Sequence, residues 1–492
     1  MSESQHKLFP ILTKYAQPRR FIEVLRHRHE LAQLNNKVAI VEKNQAISYA
    51  QLWQRVDELQ VDFANAGIQK GNVVAICSPN SVSICITFLA LWQYGAIPFI
   101  INYKLETLGN LCDMNIQYYL VPKNNVAVHR YFKSFEHYTS TKLHEGMECY
   151  VNEYVETKKM TDAAFLATSS GSSGKAKIVK LTEQGTLFNV KSNCKALSIS
   201  TNDVSALILP LGYSYGLVAQ FLSHLYMGAS LVLLDTVFFF TQIGHILNHF
   251  KVTNLFMVPP MIRQINYLYS KKMLQIDCPS LRFLTIGGNR IETSSLTKIM
   301  NIFKCKVVKT YGLAEAGPRV ATNVVCDTLH PNVESVGQAN EGVEIEIIVN
   351  EKNIDTAVGI IKIHSPSVMS GYFNARKPIS VVPFKSVITK DLGYKDAEGN
   401  LFILGRKDNH FSINKQSFWY RDIENILYQN FPFLKISVQK IKPNILVKVV
   451  AMYDFIIDLE VVSQVLVENF GTKAKQLFKI EVLKTNAMLN EK

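Results

Sequence analysis

The densest collection of reactive side chains in this sequence is the run Thr168-Ser-Ser-Gly-Ser-Ser-Gly-Lys-Ala-Lys177. Its two glycines let backbone N–H groups approach an anion closely, its four serines add hydroxyl donors, and its two lysines supply charge. That combination suits a polyphosphate. The spacing GxxxxGK[ST] is absent, so the run is not a Walker loop, and a flexible Gly/Ser turn between strand-like AAFLA and IVKL is the other reading it allows. Further on come Leu281-Arg-Phe-Leu-Thr-Ile-Gly-Gly-Asn289, Tyr311-Gly-Leu-Ala-Glu-Ala-Gly-Pro318 and Thr389-Lys-Asp-Leu-Gly393. Tyr311 is either an aromatic able to stack on a purine or a core ring. Glu315 is either a carboxylate for a hard cation such as Mg²⁺ or a solvated loop acid. Asp391 is either an acceptor pair for a diol or the start of an Asx turn.

These residues need a frame, and the chain around them alternates strand-like and helix-like lengths. Val38–Val41, Ile47–Tyr49, Val73–Cys77, Leu207–Leu209, Ser230–Leu234, Leu255–Val258, Phe283–Ile286 and Lys306–Val308 are short apolar runs separated by helical stretches such as Tyr49–Ala66. Such alternation predicts an α/β fold with parallel sheets covered by helices, where ligand sites gather at strand ends. From Ser335 to about Leu404 the texture becomes that of alternating strands divided by Gly, Asn and Asp turns (SVGQ, GVEIEIIV, GIIKIHS, NLFIL), which predicts an antiparallel or barrel-like unit. After Gly405 a small α+β unit is expected, so the chain divides into a large body, 1–404, and a small C-terminal domain, 405–492.

Composition narrows the function class. The 492 residues carry 53 Lys and Arg against 40 Asp and Glu, a formal charge of +13. That excess leaves nucleic acid, a membrane surface or a small acidic partner open. No nucleic-acid module is recognisable. The eight cysteines are scattered without a CxxC, which speaks against zinc and against a disulfide scaffold. Val73–Tyr103 and Val204–Leu234 lack Asp, Glu, Lys and Arg and exceed the ~20 residues a membrane span needs. Both are broken by prolines and glycines, so they read as buried strand–helix–strand units with no membrane span. No secretory signal is evident at the start, and the expected compartment is cytoplasmic.

The order of the motifs is more specific than any one of them. A Ser/Gly/Lys loop, GGN, YGLAEAGP, SVGQ, SPSVMSGYF, TKDLGY and GRKDN follow one another between about Ile47 and Glu424. In that order they resemble the adenylate-forming (ANL) superfamily of acyl-CoA synthetases, peptide-synthetase adenylation domains and luciferases. The resemblance implies that Ser169, Ser170, Gly171, Ser172, Ser173, Gly174 and Lys177 form a mobile loop over the ATP phosphates. It implies that Gly287, Gly288 and Asn289 line the adenine and acyl pockets, that Tyr311 and Gly312 cover the adenine, and that Glu315 holds Mg²⁺. Asp391 would bind both ribose hydroxyls, Arg406 would lie near the ribose and α-phosphate, and Asp408 would be the hinge of a mobile small domain. A C-terminal lysine is implied for the first step: Lys492 is the candidate, with Lys484 as substitute and a solvated tail lysine as the alternative.

Several positions depart from the superfamily pattern. Ala176 and Ile178 stand where Pro and Gly are common, Ala314 replaces a Thr beside Glu315, Lys415 stands near a common Gly, and Ser412 stands near a common Lys. In Pro210-Leu-Gly-Tyr-Ser-Tyr-Gly-Leu217, Tyr213 occupies the usual His position, and the Asp that pairs an α-ammonium is missing. A buried ammonium without a counter-ion would be costly, so a plain carboxylic acid is favoured over an α-amino acid. Tyr213, Gly287 and Leu313 are the pocket candidates. The expected activity is ATP- and Mg²⁺-dependent conversion of a carboxylic acid to acyl-AMP, then transfer to the phosphopantetheine thiol of coenzyme A or a carrier protein. The alternatives are an adenylate former with a poor thioester step, or a degenerate nucleotide-binding protein. The +4 charge of residues 405–492, denser than the +9 of the preceding 404, fits an acidic carrier protein or the phosphates of coenzyme A.

Overall fold

The structure, a computed structural model, describes residues 20–483 apart from 44, 102–114, 156–158, 170–176, 235, 326–330, 350–356, 374–385, 414–415, 432–433, 442–443 and 452–457. Two large sheets carry the body. In the nine-stranded sheet, Val38–Glu42, Ser230–Leu233, Val204–Leu207, Asn254–Met257, Phe283–Ile286 and Lys306–Tyr311 run parallel. Antiparallel strands close its edges. In the eight-stranded sheet, Phe165–Thr168, Ile97–Ile101, Val73–Cys77 and Tyr118–Pro122 form the parallel centre.

Side-chain alternation explains the layering. In Val73–Cys77 every residue is buried. Val74 and Ile76 face the core shared with the nine-stranded sheet, while Val73, Ala75 and Cys77 face a second core under Phe132. A strand covered on both faces reads as an uninterrupted apolar run, which is why VVAIC lacks polar alternation. The shared core also takes residues of the helices Tyr49–Asn65, Val82–Tyr94 and Glu183–Leu197, so these helices fill the space between the sheets. The far face of the nine-stranded sheet is covered by Thr236–His249, Pro259–Ser270 and Thr293–Phe303.

Local chemistry sets the helix ends. Ser48 accepts from Gln51 N at 3.2 Å while Gln51 Oε1 accepts from Ser48 N at 2.8 Å, a capping box that starts the helix at Tyr49. The strand before it is therefore Gln45–Ser48 rather than Ile47–Tyr49. Ser81 caps Val82–Tyr94, and Gly95, with φ 97°, ends it. Both uncharged stretches fold as strand–helix–strand units. Among the described residues no helix is long and apolar enough to cross a membrane. The second stretch holds an unexpected element, a π-helix over Tyr215–Leu222.

The antiparallel unit is a four-stranded sheet of Glu344–Val349, Gly359–His364, Ser386–Lys395 and Leu401–Arg406. SVGQ does not belong to it. Gly337, at φ 84°, turns the chain so that Gln338–Ala339 pairs with Ala321–Thr322 as an edge of the nine-stranded sheet. Beyond Arg406 come the hairpin His410–Ile413/Gln416–Trp419, a three-stranded sheet and the helices Tyr420–Asn430 and Leu459–Phe470, which share their own core. This small unit meets the body where the Arg263 guanidinium carbon lies 3.7 Å from the Tyr428 ring centroid. Arg263 is also paired with Glu292 at 2.7 Å, with side-chain exposures of only 8% and 7%.

Candidate active site

Gly287, Tyr311 and Glu315 lie at or just past the carboxyl ends of the parallel strands Phe283–Ile286 and Lys306–Tyr311, where an α/β sheet places its ligand sites. Tyr311 is the last residue of its strand, and its hydroxyl donates to Asp391 Oδ2 at 2.7 Å. Burial first, then the Asp391 carboxylate, push that hydroxyl well above the usual tyrosine range, so it stays a donor. Asp391 and Arg406 are register partners in neighbouring strands, with Arg406 Nε 3.9 Å from Asp391 Oδ1. The Tyr311 ring packs against the core of the four-stranded sheet, the second of the two roles open to it, and its hydroxyl reaches the acid. Asp391 lies in a strand, not an Asx turn, and its N–H donates to Thr389 Oγ1 at 3.0 Å.

Glu315 sits in the one-turn 3₁₀ helix Ala314–Ala316. The Tyr372 hydroxyl donates to Glu315 Oε1 at 2.8 Å, and the Lys177 ammonium lies 4.7 Å from the Tyr372 ring centroid. Tyr372 is not among the residues the sequence points to, although it lies in SPSVMSGYF, where an aromatic hydroxyl beside Gly371 is its one signal. No other hydrogen bond to the Glu315 carboxylate is made among the described residues. One carboxylate with substrate phosphates is the donor set Mg²⁺ commonly takes, so the absence of a three-ligand cluster among the described residues does not count against Glu315.

The phosphate-loop candidates divide. Phe165–Thr168 pairs with Ile178–Leu181, and Ser169 N donates to Lys177 O at 2.8 Å, so Ser169 and Lys177 are the two stems of a hairpin. Ser170, Gly171, Ser172, Ser173 and Gly174 lie outside the described residues, as do Ala176 between the stems and Lys415, Lys484 and Lys492 elsewhere. Thr168 N donates to Gly212 O at 3.2 Å, and Thr168 and Tyr213 form a bridge, which brings the Tyr213 segment to the hairpin. Gly287 is buried, whereas Gly288 and Asn289 are exposed, and Asn289 Oδ1 accepts from Arg290 N at 2.8 Å. A Cβ on Gly287 would meet Thr310 Oγ1 at 2.6 Å and Tyr215 Cζ at 3.0 Å, so only glycine keeps that floor flat. A Cβ on Gly312 would fall 1.9 Å from Pro318 O. The half-buried Leu313 packs against the core of the four-stranded sheet. Asp408 accepts from Lys390 Nζ at 2.5 Å on the surface, and that ammonium holds its carboxyl below the usual range.

The family model described as AMP-binding enzyme matches residues 27–373. The chain is 25% identical over 411 residues to the 2-succinylbenzoate–CoA ligase of Bacillus subtilis (strain 168), covering 80% of this chain and 79% of that one. It is 27% identical over 365 residues to the oxalate–CoA ligase of Arabidopsis thaliana, covering 70% of each. The fold is similar to that of the o-succinylbenzoate coenzyme A synthetase from Bacillus subtilis solved with ATP and magnesium ion, with a TM-score of 0.73, 21% identity and coverage of 94% and 95%. Since the match runs through most of the strands and loops described above, the chain belongs to the AMP-binding enzyme family, within the adenylate-forming superfamily.

Proposed function

We propose that this protein activates a carboxylic acid with ATP and passes the acyl group to a phosphopantetheine thiol. The observation that carries this reading is the convergence, at one set of strand ends, of a diol-competent acid (Asp391, held by Tyr311) with a metal-competent acid (Glu315, held by Tyr372) and a lysine. In the first step a carboxylate oxygen attacks the α-phosphorus, the bond from that phosphorus to the bridging oxygen breaks, and pyrophosphate leaves. Catalysis here is mainly positioning and charge stabilisation. Asp391 and Arg406 seat the ribose, Tyr311 and Gly312 flank the adenine with Gly288 and Asn289, and Ser169–Lys177 close on the phosphates. Glu315 would hold Mg²⁺, which supplies neutralisation of the phosphate charge. In the second step the thiol sulfur attacks the acyl carbon, its proton is lost, and AMP leaves.

Residues 1–404 form the adenylation core and 405–492 the lid that turns about Asp408, with Lys492, or Lys484 in its place, serving the first step. That both relatives described above are named CoA ligases favours coenzyme A over a carrier protein as acceptor. Incubation with ATP, labelled pyrophosphate and a panel of acids tests the reading. Acid-dependent label in ATP is expected, and its absence with every acid would end the proposal. Glu315→Ala and Asp391→Ala should each abolish exchange; full activity in either would remove that residue from the site.

A further inference from the structure

Arg319 follows the Gly312–Pro318 loop that carries Glu315, and it is wholly buried, with 0% of its surface exposed. None of its three guanidinium nitrogens has a hydrogen-bond partner among the described residues. Its guanidinium carbon lies 4.9 Å from the Tyr215 ring centroid and 5.4 Å from that of Phe256. The Tyr215 hydroxyl favours its charged form, but a buried cation with no anion beside it is costly, because desolvation far exceeds what a ring or a neutral hydroxyl can return. No acidic side chain among the described residues makes an ion pair with it.

The position of Tyr215 ties this cation to the active site. Its hydroxyl shares a 2.8 Å hydrogen bond with Thr285 Oγ1, and its Cζ is one of the atoms a Cβ on Gly287 would strike. Arg319 therefore stands one aromatic ring beyond the glycine floor where the reacting carboxylate is expected. On its other side the Arg319 carbonyl accepts from Asn189 Nδ2 at 2.9 Å, which fixes the backbone, and Asn189 Oδ1 has no partner among the described residues. A water between that oxygen and the guanidinium would satisfy one donor but would not neutralise the charge.

From this buried, unpaired guanidinium beyond the Gly287 floor, we infer that Arg319 receives a second carboxylate, so that the acid activated is a dicarboxylic acid. One carboxylate meets the α-phosphate, and the other is held at the far end of the pocket by a fork of parallel N–H donors. Tyr215 and Phe256 cover the cation until that carboxylate displaces the contact. The chemistry of the first step is unchanged: one carboxylate is consumed, and the acyl-adenylate keeps the other as its anchor. This inference rests on the acid-activation reading.

The test is pyrophosphate exchange with acids paired in length, one member ending in a carboxylate and the other in a methyl group or methyl ester: succinate with butyrate, adipate with hexanoate, phthalate with its monomethyl ester. Wild type should favour the diacid of its best pair by about 30-fold or more in kcat/KM, the cost of leaving a buried charge without its partner. In Arg319→Met that ratio should collapse towards one, mainly through KM, and Arg319→Lys should retain part of it. A wild-type preference for the monoacids overturns the inference while acid activation stands, and so does a diacid preference that survives Arg319→Met. No exchange with any acid overturns both. The wild-type comparison decides even if the variants fail to fold.

Discussion

Replacing Lys309 by methionine should remove one slope from the pH dependence of stability. Lys309 precedes Thr310 and Tyr311 on the strand that delivers the active site, and its side chain is 6% exposed. Its ammonium donates to the Val333 carbonyl, and the ionisable groups around it are Glu334 and Arg290, which are themselves paired. Burial, with Arg290 adding repulsion and Glu334 opposing both, lowers its pKa from the usual 10.5 to about 8. The unfolded chain then binds the proton that the folded chain releases between about pH 8 and pH 10.5. Stability must rise with pH across that window, level off above it, and be indifferent to this group below pH ~8. At about 1.4 kcal/mol per pH unit, the full span is about 3 kcal/mol. Urea unfolding of wild type and Lys309→Met at intervals from about pH 7 to about pH 10.5 gives the difference curve, in which every group common to both cancels. Wild type should gain about 3 kcal/mol relative to the variant through the window. A flat difference would refute the reasoning, because it would mean the buried ammonium keeps its ordinary pKa.

Two further outcomes follow from the geometry. Gly312→Ala puts a Cβ 1.9 Å from the Pro318 carbonyl oxygen, a backbone atom that cannot step aside, so the loop carrying Glu315 must rebuild. Exchange activity should fall by at least about 100-fold with a lowered Tm, and wild-type values for both would show that the loop is open at this point. Tyr428→Ala removes the ring seated 3.7 Å from Arg263 and should weaken docking of the small unit by about 1–2 kcal/mol. Faster amide hydrogen exchange in Tyr420–Asn430 is the readout, and unchanged protection would mean that the contact does not hold the unit in place.

The parts of the fold that were legible in the sequence are those where one residue type has one physical job. Glycines and prolines break the uncharged stretches into strand–helix–strand units, and the apolar run Val73–Cys77 marks a strand covered on both faces, whereas the strand expected over Ile47–Tyr49 overran the helix cap at Ser48. Tyr311, Asp391 and Arg406, far apart in sequence, were placed together by the order of motifs, and the structure joins them through hydrogen bonding and strand register. What was not legible depended on three-dimensional neighbours. Gln338–Ala339 has the alternation of the sheet that follows it but pairs with the sheet before it, because a single positive φ at Gly337 redirects the chain. Tyr372 and Arg319 stood inside quoted motifs or beside them, yet their roles come from Glu315 and Tyr215, to which neither is adjacent in sequence. The π-helix at Tyr215–Leu222 left no trace, since Gly216–Leu222 are all buried and a uniformly covered segment shows no period.

That π-helix makes pocket selectivity a matter of chain length as well as side-chain identity. A π turn holds one residue more than an α turn, and the segment is pinned at its far end, where Ser223 Oγ takes Asn193 Nδ2 and donates to Val218 O. Deleting one residue between Leu217 and Leu222 would let the turn relax to α geometry. The downstream strand would stay where it is, while Tyr215 would rotate by about 100° about the helix axis. The ring would then leave Thr285 and uncover the Arg319 guanidinium without any substitution at a pocket residue. A lineage can thus open or shut the far end of this site by losing or regaining a single codon, a route that position-by-position comparison of pocket residues would miss.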